Sequence, residues 1–156
     1  MKFILTSDAF GRMEEIPSKY TSDGENLSPP LAWSGAPPGT KSFALVVDDP
    51  DAPGNVWVHW VLYNIPAGAK VLPEGAGNGK APLPEGAAEG LNDWGRKGYG
   101  GPSPPSGRHR YFFKLYALDT VLSLPAPPTK AALEEAMKGH VLAEAELVGT
   151  YKRKGR

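Results

Sequence analysis

Residues 55–65 read Asn-Val-Trp-Val-His-Trp-Val-Leu-Tyr-Asn-Ile. Side chains of an extended chain alternate between two faces, so regular alternation puts Trp57, His59, Val61 and Tyr63 on one side and Val58, Trp60 and Leu62 on the other. Both sides are apolar or aromatic. That is the pattern of a strand buried on two faces, inside a sheet covered above and below. His59 falls in the middle third of this strand, either as a hydrogen-bonded core residue or as part of a site.

Two further runs have the same character. Ser42 to Asp48 is short, apolar and partly β-branched, and it ends at Asp48-Asp49-Pro50-Asp51-Ala52-Pro53-Gly54. Alternation there sets Phe43, Leu45, Val47 and Asp49 on one face, leaving a carboxylate at the rim of an apolar surface, where it needs a partner. Tyr111 to Asp119 is the third strong strand; its parity puts His109, Tyr111, Phe113 and Leu115 on one side and Arg110, Phe112 and Lys114 on the other. Weaker strand signals lie at residues 2–6, 31–33, 70–72 and 90–92. Thr129 can cap a helix to about Lys138, with Leu133, Ala136 and Met137 as its apolar stripe, an i,i+4 pair of Glu134 with Lys138, and Gly139 to end it. A further helical turn is expected at Val141-Leu142-Ala143-Glu144, then a closing strand at residues 147–151. The architecture is mostly β, with one or two short C-terminal helices.

Between the second and third strong strands, residues 99–111 read Tyr-Gly-Gly-Pro-Ser-Pro-Pro-Ser-Gly-Arg-His-Arg-Tyr. Glycine permits sharp turns and close backbone approach, and proline freezes φ and removes a donor. A loop stiffened before binding loses less entropy when a ligand arrives. The stretch suits the wall of a small pocket. The thirty or so residues before it, 66–99, are rich in Gly, Ala, Pro, Asn and Glu and are expected to drape over the sheet.

Composition narrows the function. Residues 1–156 are the length of a single ordinary domain. Seventeen basic residues balance seventeen acidic ones, so no global field recruits nucleic acid or an anionic membrane. No cysteine is present, which excludes disulfides, thiolate nucleophiles and zinc-thiolate clusters. The N-terminal apolar run is too short for a signal-peptide core and no run could span a bilayer, so a cytoplasmic protein is expected. The basic residues 152–156 read as a solvated terminus. Nineteen glycines and seventeen prolines imply many loops, while four Trp, six Tyr and five Phe imply a packed core.

Asp49, His59 and His109 thus sit at or near the ends of three strands, and two of the three histidines in the chain are among them. If the strands are neighbours, two imidazoles and a carboxylate converge beside the Gly/Pro loop. A nearby carboxylate favours the imidazolium, and a charged donor binds phosphate oxygens strongly. Binding on that basis weakens as pH rises through the ordinary histidine range, roughly 6.5. Asp49 would support a histidine; a ligand that also carries an ammonium, as phosphoethanolamine does, would satisfy both signs.

The motifs Asp48-Asp49-Pro50-Asp51-Ala52-Pro53, His59 in Val-His-Trp-Val-Leu-Tyr-Asn-Ile-Pro, and Gly-Gly-Pro-Ser-Pro-Pro-Ser-Gly-Arg-His-Arg-Tyr, in this order over nearly the whole chain, resemble the phosphatidylethanolamine-binding protein family, also called the Raf kinase inhibitor-like family, in its compact prokaryotic form. The resemblance implies a large central sheet with a smaller sheet packed on it and an anion pocket at one end. It implies Asp49, His59 and His109 as ligand-binding residues, with Pro53, Gly101, Pro104 and Tyr111 shaping the mouth and Asp51 bracing Arg110. Ser103 departs from the pattern, standing where many prokaryotic members carry cysteine. The chain also lacks the longer insertions of eukaryotic relatives, which weakens the case for a kinase-regulating role.

The leading expectation is non-enzymatic binding of a phosphate-like or zwitterionic headgroup, with no catalytic residue, metal or cofactor. Two other classes stay open. One is an inhibitor of a kinase or protease acting through the pocket surface. The other is a hydrolase using Ser103 or Ser106 with His109 and an aspartate, or a metal site of His59, His109 and Asp49. Relatives in this family are often dimers, so a homodimer is a further expectation.

Overall fold

The doubly apolar stretch at residues 55–65 forms β4, Trp57–Pro66, inside a five-stranded antiparallel sheet of order β6-β4-β3-β7-β8. The computed structural model describes residues 2–152. Its strands are β1 (Ile4–Thr6), β2 (Leu31–Ser34), β3 (Ser42–Asp49), β4, β5 (Val71–Leu72), β6 (Ala88–Glu89), β7 (Arg108–Leu118) and β8 (Val141–Lys152), with the helix α1 (Lys130–Met137) before the last. Residues 153–156 of the basic tail lie outside the described residues.

Each face of the large sheet has its own cover. Phe43, Leu45, Val47, Trp60, Leu62, Tyr111, Phe113 and Leu115 meet Leu5, Leu31, Trp33 and Leu72 of a second antiparallel sheet, ordered β1-β2-β5. The Trp33 and Phe43 rings pack edge to face at 5.6 Å. On the opposite face Ala44, Val46, Val58, Val61 and Tyr63 meet Leu122 and the α1 residues Leu133 and Met137. All eight residues of β3 are buried, as a strand sandwiched between two covers requires.

Parity holds along β3 and β7 and breaks along β4. Val47 opposes Trp60 but Asp48 opposes Val58, so β4 carries one residue more than β3 there. Phe43 opposes Ile65 and Leu45 opposes Leu62, a second extra residue at a point where Asn64 has φ 56°. A bulge of this kind bends its strand and re-aims side chains. Val58 therefore joins Val61 and Tyr63, and Trp60 and Leu62 lie on the opposite face with Ile65. Regular alternation had grouped Val58 with Trp60.

The C-terminal third differs from expectation in one element. Thr129 caps α1 as its sequence suggests, its Oγ1 accepting from the Ala132 amide at 3.1 Å. Residues 141–144, expected to turn helically, are strand: β8 pairs with β7 from Val141 to Lys152. The cross-strand ladder of an eleven-residue partner outweighs the helix preference of Leu, Ala and Glu. Glu134 is nearest Lys130 (3.8 Å), and Lys138 pairs with Glu135 (2.8 Å) in place of Glu134. The segment 66–99 bridges the sheets, because β5 pairs with β2 and β6 pairs with β4.

Gly149 in β8 marks a tight contact between the sheet edge and the chain before β2. A Cβ there would lie 2.5 Å from Ile16 Cγ1 and 2.7 Å from Phe10 Cε2, both in buried side chains. Gly149→Ala is therefore expected to lower stability by about 1–3 kcal/mol through overpacking. Urea unfolding would show this as a lower midpoint at unchanged slope.

Candidate functional site

The extra residue of the first β4 bulge is His59. Its carbonyl accepts from the Gly100 amide at 3.0 Å, and its Nδ1 donates to the Gly100 carbonyl at 2.6 Å. The Gly/Pro loop thus hangs on the bulge by two hydrogen bonds from a single residue. Gly100 is required on its other side as well, since a Cβ would fall 2.4 Å from the Trp94 ring.

With Nδ1 committed as donor, the neutral tautomer of His59 carries its lone pair on Nε2. That nitrogen has no hydrogen-bond partner among the described residues, and it is not among the fully buried unpaired atoms. The ring is 3% exposed and meets Trp94 and Tyr111 edge to face, each at 5.2 Å. Burial pulls its pKa below the ordinary histidine value; the Gly100 bond and the Asp49, Asp48 and Asp93 carboxylates oppose this without reversing it. His59 is thus neutral near pH 7, whereas carboxylate proximity had suggested an imidazolium. Desolvation wins because no acid touches the ring.

His109, on β7, has the opposite surroundings. Its Nδ1 lies 2.7 Å from Asp49 Oδ2 and its Nε2 lies 3.1 Å from the Ser106 carbonyl. Both ring nitrogens face acceptors, so a ring with a proton on each satisfies both. Asp49 Oδ1 accepts from the Asp51 amide at 2.7 Å, so both of its oxygens are occupied. Asp49, 3% exposed, thus meets a neighbouring donor at each carboxylate oxygen.

Asp51 clasps Arg110 three times at 2.9 Å: through the Arg110 amide, through Nε and through one terminal guanidinium nitrogen. The guanidinium holds the Asp51 carboxyl down at about 2. This pair ties the turn after β3 to the start of β7 and so holds the two strand ends that carry Asp49 and His109.

Asp49, Pro53, His59, Pro104, His109 and Tyr111 all line one cavity of about 310 Å³. Tyr111 forms its floor rather than its mouth: the ring is 1% exposed and lies between the two imidazoles, 6.4 Å from His109. Gly101 is not part of this cavity. It packs against the Tyr20 carbonyl and Asn26 Oδ1, each 2.4 Å from where a Cβ would be, and lines a neighbouring cavity. Trp57 and Trp94, edge to face at 5.6 Å, supply an aromatic wall that sequence reasoning missed as a site feature. A lone tryptophan in Asn92-Asp93-Trp94-Gly95, amid an otherwise small and polar segment, was the available signal.

Ser103 lines the cavity, and Ser106 contributes its carbonyl to His109. No hydrogen bond joins either serine hydroxyl to a histidine among the described residues. No group of three or more His, Cys, Asp or Glu is placed to hold a metal ion among those residues. No helix among them is long and apolar enough to cross a membrane.

Over residues 6–152 the chain matches the family model described as phosphatidylethanolamine-binding protein. It is 55% identical over 149 residues to a UPF0098 protein of Methanothermobacter thermautotrophicus, covering 96% of this chain and 98% of that one. A UPF0098 protein of Aquifex aeolicus is 47% identical over 94% of this chain and 86% of its own. Among solved structures, YbcL of E. coli, described as a member of the mammalian PEBP family, superposes with TM-score 0.92 at 39% identity, covering 99% of this chain and 100% of that one. The PEBP homologue CT736 of Chlamydia trachomatis superposes with TM-score 0.90 at 44% identity, covering 97% and 98%.

The Asp51 clasp gives stability a defined pH dependence. A folded carboxyl at about 2, against an ordinary value of 3.8, stabilises the protein fully above 3.8, and the contribution is lost as pH falls towards 2. The stability difference between wild type and Asp51→Asn is therefore expected to be constant above that window and to shrink within it. Urea unfolding of both proteins at a series of acid pH values checks this.

Proposed function

The chain belongs to the phosphatidylethanolamine-binding protein family, and from that premise we propose that its histidine cavity binds a small phosphate-like or zwitterionic group, such as phosphoethanolamine, without covalent chemistry. The observation that carries this reading is the unpartnered Nε2 of His59 in a cavity where the Asp49 carboxylate and the His109 ring are paired with each other.

Asp49 is paired with His109, and His59 is neutral, so the cavity offers no unpaired cation to an anion. A phosphate can still be held in two ways. A protonated phosphate oxygen donates to His59 Nε2, or His59 takes up a proton and donates to an ionised oxygen. In either case the complex holds a proton that the separated partners at neutral pH need not. His109 Nε2–H, at 3.1 Å from the Ser106 carbonyl, is a second donor that can be shared with or transferred to a bound oxygen. An ammonium on the ligand finds the π faces of Trp57 and Trp94 in the same cavity.

Titration calorimetry with phosphoethanolamine is expected to show affinity falling as pH rises, with proton uptake revealed by different heats in buffers of different ionisation enthalpy. His59→Ala should weaken binding by about tenfold or more, equivalent to about 1.4 kcal/mol. Equal affinity in wild type and variant would sink the assignment.

A further inference from the structure

A second cavity, of about 470 Å³, lies beside the first, and Trp94 and Ser103 line both. Their characters differ. Where the histidine cavity is walled by prolines and aromatic rings, its neighbour is lined by Ser22, Asn26, Glu89, Arg96 and Lys97 among others.

Its frame is rigid because two carboxamides are consumed on backbone groups. Asn78 accepts from the Ser28 amide and donates to the Asn26 and Tyr99 carbonyls; Asn92 accepts from the Trp94 and Arg96 amides and donates to the Gly98 carbonyl. Around that frame several groups remain unspent. Glu89 Oε2 accepts from Trp60 Nε1 at 2.8 Å, while Oε1 has no partner among the described residues. Asn26 Oδ1 holds the Gly101 amide at 2.8 Å, while Nδ2 has none. The Ser22 and Ser103 hydroxyls and the Arg96 and Lys97 side chains are likewise without hydrogen-bond partners among the described residues.

We propose that this second cavity is a subsite for the hydroxyl-bearing part of a phosphate monoester, a sugar or polyol phosphate, whose phosphate lies against His59 and His109 and whose remainder reaches past Ser103. The proposal rests on the reading of the histidine cavity above and names the ligand class for it. A hydroxyl both donates and accepts, so it suits a ring of mixed single partners: a carboxylate oxygen, a carboxamide N–H and two serine hydroxyls. An acyl chain would strip these groups of water without replacing the bonds, at about 1–3 kcal/mol for each group left unpaired.

Calorimetry on the full chain tests this with inorganic phosphate, phosphoethanolamine, glucose phosphate and a short-chain phosphatidylethanolamine. Glucose phosphate is expected to bind about tenfold tighter than inorganic phosphate, and short-chain phosphatidylethanolamine no tighter than phosphoethanolamine. Ser22→Ala with Glu89→Ala removes two of the four partners, and Ser22→Trp fills the space between them. Each variant should erase most of the glucose phosphate advantage and leave inorganic phosphate binding unchanged, with the urea midpoint as the fold control. The inference is overturned if phosphate binds but glucose phosphate gains nothing, if the gain survives both variants, or if the short-chain lipid is preferred. If neither inorganic phosphate nor phosphoethanolamine binds, the histidine cavity is not a phosphate site, and the subsite falls with it.

Discussion

The site depends on a single unmatched residue in a hydrogen-bonded ladder. Between Val58 and Trp60, β4 has one residue more than β3 can pair, and that residue is His59. The bulge does two things at once. It places the ring on the cavity side beside Tyr111, and it presents His59 to Gly100, which accepts one hydrogen bond and returns another. The loop of residues 99–107 is stiff by composition, but it is the bulge that says where the stiff loop sits.

Adjacent carboxylates at the end of β3 extend the same logic to both faces of the sheet. Asp49 points into the cavity and is held by His109. Asp48 points the other way, to Lys114 of β7 at 3.3 Å and Lys130 of α1 at 2.9 Å, with its side chain 2% exposed. A buried carboxylate is tolerated only when paired. The end of β3 is therefore pinned from two sides, by the helix below and by the histidine above, and the Asp51 clasp on Arg110 fixes the turn that follows. A cavity built on such supports is formed before any ligand arrives, which lowers the entropic cost of binding.

The electrostatics of the two imidazoles show how much a short distance decides. His109 sits against a carboxylate; His59 has carboxylates nearby but none in contact, and its neighbours are aromatic rings and a backbone carbonyl. The same residue type in one cavity thus meets an acid in one place and aromatic rings in the other. Such a division gives the cavity a donor already in place and an acceptor ready to become one.

Much of this was legible from residue order. Strict alternation grouped Asp49 with Phe43, Leu45 and Val47 in β3, and His109 with Tyr111 in β7, because a regular ladder transmits parity without error. The Thr129 cap and the Gly/Pro loop were legible because their chemistry is local. Parity failed along β4, since a bulge is set by the register between two strands and leaves no mark in either strand alone. The helical turn expected at residues 141–144 failed for a related reason: β7 was long enough to pair with it. Trp94, the position of Gly101 behind the wall, and the neutral state of His59 belong to contacts between distant segments. Residue order thus determined which groups the protein has and which faces they occupy in regular strands. Register, burial and the meeting of segments forty or more residues apart, such as His59 with Gly100, were decided only when the chain closed on itself, because desolvation and hydrogen bonding act on what is near in space.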